Sequence, residues 1–294
     1  MSKRSKNILT NSSMTTYQRC PRAYYYRYVW GLAPKKVSDK ITIGKLTHKG
    51  LAYLHQGKDL NEAINLVFSE TSTDASMAVR KTVATMLTQY ALKWKDDADT
   101  KQTLAVESVL RRKLDDNWWL AGKLDWVIRD DEGVWVVECK TTSRIDRDYL
   151  AKLPLDNQVT TYYYLASGKW KGEMRGVIYD VVVRPRIYRR SGEDIDTYLE
   201  RAAAAYLANP TAYFTRQCCF REEWKVDSFL SSALYTAKEI EKRLGEDADA
   251  WPQFTWSCFL RGRECPYAQL CSYGENLRTL SAFEIVDPMR ELLE

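Results

Sequence analysis

The chain has 294 residues, a formal net charge of +5, 45% hydrophobic residues and 28% charged residues, the ordinary balance of a globular protein with room for an ample core. No apolar run approaches the roughly 18 residues of a membrane span, and the basic start Met1-Ser2-Lys3-Arg4-Ser5-Lys6 lacks the apolar stretch of a secretory signal. A cytoplasmic protein with no membrane partner is expected, so its seven cysteines do not read as a disulfide framework, and the mild positive charge permits nucleic-acid binding without requiring it.

Residues 15–30 read as a short helix, a corner at Cys20-Pro21 and a second, aromatic helix bearing Tyr24, Tyr25, Tyr26 and Tyr28. Core packing is the first reading of these tyrosines, and stacking on single-stranded bases is the alternative. Residues 34–40 form a loop, 44–56 a helix and 60–96 one or two amphipathic helices. Strands are expected at about 104–113, 117–128 and 134–140, then a helix over 146–167 and a fourth strand over 176–183. Helices follow at 193–207 and 226–246, and the last fifty residues are irregular and hold three cysteines. With no repeat, no low-complexity linker and no clean boundary, one domain over 1–294 is expected, an α/β fold whose mixed sheet carries helices on its faces.

The densest chemistry lies in the second and third strands. Trp118 to Ile128 is aromatic and β-branched, Asp130-Asp131-Glu132-Gly133 is turn chemistry, and Val134 to Val137 resumes strand character. In such a hairpin Asp125 comes opposite Glu138 or Lys140, with Cβ atoms roughly 4.5–5.5 Å apart. Glu138 and Lys140 share a face while Cys139 points away. A solvated cross-strand ion pair would explain these charges on an arbitrary hairpin. The apolar run Val134, Val136, Val137 instead marks a covered strand, where charges are costly unless paired or metal-bound.

Further polar residues extend the pattern. His48 follows Gly44-Lys45-Leu46-Thr47, and Gln158 and Tyr162 stand four residues apart on the helix after Lys140. The ordered series His48, Asp125, Glu138-X-Lys140, Gln158-X-X-X-Tyr162 resembles the PD-(D/E)XK nuclease superfamily over residues 44–165. The match is best to its RecB-like branch, which includes the AddB nuclease domain and CRISPR adaptation nucleases. The resemblance implies a restriction-endonuclease-like core, taken as residues 44–190. It implies Mg²⁺ or Mn²⁺ held by Asp125, Glu138, His48 and the backbone carbonyl of Cys139. Lys140 would position the attacking water, and Gln158 and Tyr162 would hold substrate phosphates or orient Lys140. Glu107 is a candidate outer carboxylate, and His55 reads as structural.

Cys258, Cys265 and Cys271 cluster near the C-terminus, while Cys20 stands alone near the N-terminus. Four intracellular cysteines fit thiolate ligation of a [4Fe–4S] cluster. Zinc sites favour paired short spacings, which are absent, and three buried loop cysteines are the plain alternative. Several RecB-like nucleases carry an N-terminal cysteine and a C-terminal trio around [4Fe–4S], which this layout resembles. The clasp segments would be 15–30 and 250–275. The gap from Cys258 to Cys265 is wider than the two-residue spacing frequent in AddB-type members, whereas Cys139, Cys218 and Cys219 match no ligand position.

For DNA contact, Arg184, Arg186, Arg189 and Arg190 follow the fourth strand, and Arg111-Arg112-Lys113 ends the first. Either run is a phosphate track or a solvated charge run. The expected function is a DNA nuclease, an exonuclease acting on ends or single strands in recombination, repair or mobile-element replication. The alternatives are a spacer-trimming CRISPR adaptation nuclease and a non-catalytic iron–sulphur DNA-binding module. No Gly-X-X-X-X-Gly-Lys-Ser/Thr occurs, so a helicase, recombinase or single-strand-binding partner would be a separate protein.

Overall fold

The structure is a computed structural model that describes residues 7–69, 75–260 and 262–293. In chain order its main strands are β1 (Ile8–Thr10), β2 (Leu32–Pro34), β3 (Gln102–Lys113), β4 (Trp119–Arg129), β5 (Val134–Thr142), β6 (Met174–Val183) and β7 (Phe214–Cys219). The helices before the central strands are α1 (Asn11–Arg19), α2 (Pro21–Tyr24), α3 (Asp39–His55), α4 (Leu60–Ser69), α5 (Met77–Lys93) and α6 (Asp97–Thr100). After them come α7 (Arg147–Ala151), α8 (Asn157–Lys169), α9 (Ile195–Ala208) and α10 (Glu223–Glu241). Two compact units result, one of residues 38–108 and 124–221, the other of residues 1–37, 109–123 and 222–294.

In the first unit the turn between β4 and β5 closes as its residue types dictate. The Asp130 carboxylate accepts from the amides of Glu132 and Gly133 at 3.0 and 3.1 Å. The strands pair antiparallel, with Trp126 opposite Val137. β5 then pairs parallel with β6, and β6 antiparallel with β7, giving the order β4-β5-β6-β7. A parallel neighbour needs a crossover, and α8 supplies it. Val127, Ile128, Val134, Val136, Val177, Val181, Val182 and Val183 are wholly buried, each worth about 1.5–3 kcal/mol of apolar transfer. The mixed sheet flanked by helices is the α/β arrangement expected.

Two differences from expectation have local causes. The single helix expected over 146–167 is broken into α7, a 3₁₀ turn at Leu153–Leu155, and α8. Pro154 has no N–H to continue a helix, and the Asp156 side chain restarts it by accepting from the amides of Gln158 and Val159. β7 was outside the expected set. Its residues, Phe214-Thr-Arg-Gln-Cys-Cys, carry little strand signal and gain their ladder only from β6.

α3 begins at Asp39, ahead of the expected Gly44, because extended Ser38 occupies the cap position and Asp39 complements the helix dipole. Two glycines let this helix lie close to its neighbours. A Cβ at Gly50 would drive into the side chain of Leu87 on α5, and one at Gly44 would meet Thr141 Oγ1 of β5 at 3.0 Å. His48 lies between them on the same helix.

In the second unit β1 runs parallel to the start of β4, with Leu9 paired to Leu120. Thr10 caps α1 through a reciprocal box with Ser13. Beyond the Cys20-Pro21 corner, Tyr24, Tyr26 and Tyr28 are buried. The Tyr24 ring stacks on Tyr28 and on Trp251, at centroid distances of 5.1 and 5.7 Å. Packing accounts for these three tyrosines. Among the described residues no helix is long and apolar enough to cross a membrane.

Candidate active site

Everything the sequence places in the catalytic series lies within the unit of residues 38–108 and 124–221. The register of β4 on β5 brings Asp125 level with Glu138. Asp125 Oδ2 accepts from the Cys139 amide at 2.8 Å and lies 3.5 Å from His48 Nδ1. Glu138 is only 1% exposed, and its Oε1 is paired with the Lys140 ammonium. Its other oxygen, Oε2, is buried with no hydrogen-bond partner. A carboxylate oxygen left in that condition calls for an explanation, and an ion is one.

The electrostatics follow from burial. Desolvation, then the neighbouring Asp125 carboxylate, push the Glu138 carboxyl above its usual range, against the pull of Lys140 and His48. Burial works to lower the Lys140 ammonium, but Glu138, Asp125 and Asp156 outweigh it and raise the group above its ordinary value. Lys140 therefore stays protonated. Asp125 and Glu138 thus both act on the Lys140 ammonium, and the partly exposed His48 imidazole lies beside Asp125.

Gln158 and Tyr162 meet on α8, where the Gln158 side-chain amide donates to the Tyr162 hydroxyl at 3.0 Å. Asp156, at the start of that helix, acts on Lys140, and so links α8 to the catalytic strand. Tyr179 of β6 is the register neighbour of Glu138, and Tyr149 of α7 packs on it with ring centroids 6.3 Å apart. Asp156, Tyr149 and Tyr179 are absent from the expected site. The Asp156-Asn157 pair before an amphipathic run was the readable signal, masked by reading one helix through Pro154. Arg221, buried, holds that break by donating to Thr160 Oγ1 at 2.8 Å and to the Leu153 carbonyl at 2.7 Å.

On the opposite face of β5 and β6 lies a second ionic cluster. Asp180, the register partner of Cys139, accepts from Tyr90 at 2.7 Å and from Arg216 Nε at 2.9 Å. Arg216 also pairs with Asp97 at 2.7 Å and stacks on Trp94, and Asp97 pairs with Lys101. His55 stacks on Trp126 at 3.9 Å and reaches the Tyr90 hydroxyl at 3.2 Å. Glu107 sits at a left-handed backbone position, φ +51°, so β3 is irregular there.

In the other unit Cys20 belongs to a hydrophobic cluster with Tyr26, Tyr267 and Leu270, against which Cys265 and Cys271 pack. The Cys265 amide donates to the Cys258 carbonyl at 2.7 Å. Burial raises the thiols of Cys265 and Cys271, with smaller contributions from Cys20 and Cys258 to both. The four cysteines are thus near neighbours. Among the described residues, however, no group of three or more His, Cys, Asp and Glu side chains is arranged to hold a metal ion. At the hairpin, the Lys140 ammonium already covers one side of Glu138. At the cysteines, no closed thiolate cage is formed, so the iron–sulphur expectation has no ligand group behind it here.

The acidic pair and its lysine lie on two interior strands of the mixed sheet, and comparison with known families identifies the class of protein. The model of the PD-(D/E)XK nuclease superfamily matches residues 8–272, and this chain belongs to that superfamily. A solved structure titled "Crystal structure of SSO0001" is similar over 92% of this chain and 89% of its own, at 12% identity and a TM-score of 0.35, too distant to carry an argument. No curated protein matches.

Proposed function

We propose that this nuclease is a metal-dependent deoxyribonuclease that hydrolyses DNA from an end, in recombination, repair or mobile-element replication. The observation that carries the reading is the convergence of Asp125, Glu138 and Lys140 at β5, with Glu138 Oε2 buried and without a hydrogen-bond partner. The donors suit Mg²⁺ or Mn²⁺, with Asp125 and Glu138 supplying oxygen, His48 nitrogen and Cys139 its carbonyl. Such a cation, when bound, polarises a phosphoryl oxygen and acidifies a water. Lys140, held protonated by its carboxylate neighbours, offsets the charge that develops on the phosphoryl oxygens and orients the attacking water. Gln158 and Tyr162 steady the substrate phosphate beside it. The motif order shared with the AddB domain supports work on DNA ends. A motor or single-strand-binding partner would be supplied by another chain.

The test is digestion of labelled linear and circular DNA with Mg²⁺ or Mn²⁺. Wild type should degrade linear DNA only with metal, and Asp125→Ala and Lys140→Ala should be slower by on the order of 10²–10³. Equal cutting by the variants, or no cutting by wild type, ends the catalytic reading. Circular DNA cut as fast as linear removes the end-directed part.

The same proposal includes a [4Fe–4S] clasp on Cys20, Cys258, Cys265 and Cys271, supported by their proximity alone. Anaerobically purified protein should then be brown with about four irons per chain, while Cys20→Ala and Cys271→Ala should be colourless and unstable. A wild-type preparation reconstituted with iron and sulphide that stays colourless, or a brown and stable Cys271→Ala, removes the cluster.

A further inference from the structure

The segment after β6 combines three features. It leaves the sheet beside the end of β5, where Val183 pairs with Thr142 and the Arg184 amide donates to the Thr142 carbonyl at 2.9 Å, two residues past Lys140. It is basic, with Arg184, Arg186, Arg189 and Arg190 in seven residues. At its centre Tyr188 is 93% exposed. A large aromatic ring held in water loses the transfer energy it would gain in the core, so its position calls for a partner.

The loop is built to hold that ring out. Glu193 is its hub. The Glu193 carboxylate accepts from Arg201 Nε at 2.7 Å and from the Arg190 amide at 2.8 Å, and the Arg189 guanidinium donates to the Glu193 carbonyl. Arg201 also donates to the Tyr188 carbonyl at 3.0 Å, and the Tyr198 hydroxyl to that of Ile187 at 3.3 Å. The backbone on both sides of Tyr188 is therefore pinned while its side chain is turned outward. Arg189 and Arg201 fold the loop, while the exposed Arg186 and Arg190 stand two residues to either side of Tyr188 in the chain.

We infer that Tyr188 is a stacking platform for an unpaired base of single-stranded DNA, with Arg186 and Arg190 on the flanking phosphates. The inference rests on the nuclease reading and sharpens it, since a base inside a duplex cannot offer its face to a ring. An exposed aromatic flanked by cations matches single strands, for which stacking supplies sequence-tolerant affinity and the backbone supplies the salt dependence.

The experiment is fluorescence anisotropy with a labelled oligodeoxynucleotide, single-stranded or as a blunt duplex, in EDTA so that nothing is cut. Tyr188→Ala should weaken single-strand binding about tenfold and leave duplex binding unchanged, and Tyr188→Trp should restore it. Arg186→Ala should weaken both substrates and flatten the salt dependence. Circular dichroism establishes that each variant is folded. Single-strand binding unchanged in Tyr188→Ala, or equal losses on both substrates, overturns the inference. If wild type cuts no DNA yet Tyr188→Ala still loses the single strand selectively, the nuclease reading fails and this inference stands.

Discussion

Two clusters of buried charge sit on opposite faces of β5 and β6, and they differ in how far solvent reaches them. Behind the strand, the carboxylates of Asp180 and Asp97 pair with Arg216 and Lys101, Tyr90 donates to Asp180, and Asp180 Oδ1 is left without a hydrogen-bond partner. In front, Asp125 and Glu138 share Lys140 and the imidazole of His48, and one Glu138 oxygen is left over. Each cluster thus leaves one carboxylate oxygen over, and access is what separates them: Lys140 and His48 are partly open to solvent, whereas Asp180 is sealed beneath Arg216. A sealed network serves the fold, while buried carboxylates within reach of solvent can meet a ligand.

The comparison is broken most directly at Arg216. Arg216→Ala removes the guanidinium paired with the buried Asp180 and one of the two cations on Asp97, and should cost about 3–5 kcal/mol, read by urea unfolding. A variant as stable as wild type would mean the rear cluster is not structural. In front the opposite pattern is expected. Glu138→Gln should lower DNA cleavage by on the order of 10²–10³ in metal-containing buffer, yet melt at or above the wild-type temperature, because burial and Asp125 disfavour the Glu138 charge and its Oε2 has no partner, while the Gln oxygen can still accept from Lys140. Loss of both activity and stability would place Glu138 in the scaffold instead.

Smaller effects sharpen the picture. Gly50→Ala pushes a methyl into Leu87 and should cost about 1–3 kcal/mol in thermal melts, with activity falling as α3 and its His48 shift. His55, pressed against Trp126, has its pKa lowered to about 3, chiefly by burial and then by Arg216. The unfolded chain then takes up this proton near pH 6.5 while the folded one does not. Stability is accordingly full above pH 6.5 and lost as pH falls from there towards about 3, by at most about 1.4 kcal/mol per unit. His55→Gln should flatten that part of the curve, measured by urea unfolding between pH 7 and 4.

Much of the front cluster was legible in the chain. Strand alternation and a short acidic turn bring Asp125, Glu138 and Lys140 together whatever surrounds them, because both rules act over a dozen residues. The pair Gln158 and Tyr162 is equally local, a single helical turn, and the two do bond each other. The rear cluster was not legible. Tyr90, Asp180 and Arg216 are each 36 or more residues from the next, and β7, which carries Arg216, has no strand pattern of its own. Arg189 looked like its three arginine neighbours, and only the folded loop shows its guanidinium donating to the Glu193 carbonyl.

By itself, then, the sequence determined the hairpin, the spacing of its acidic and basic residues, the helical pair behind Lys140 and the membership these motifs announce. Those features follow from dihedral preferences and from periods of two and 3.6, which need no distant partner. Tertiary structure decided which carboxylates are sealed and which are open to solvent, which tyrosines are core and which are exposed, and how near the four cysteines come. Charge balance and burial are properties of what packs alongside, and that is set by contacts closed across the whole chain.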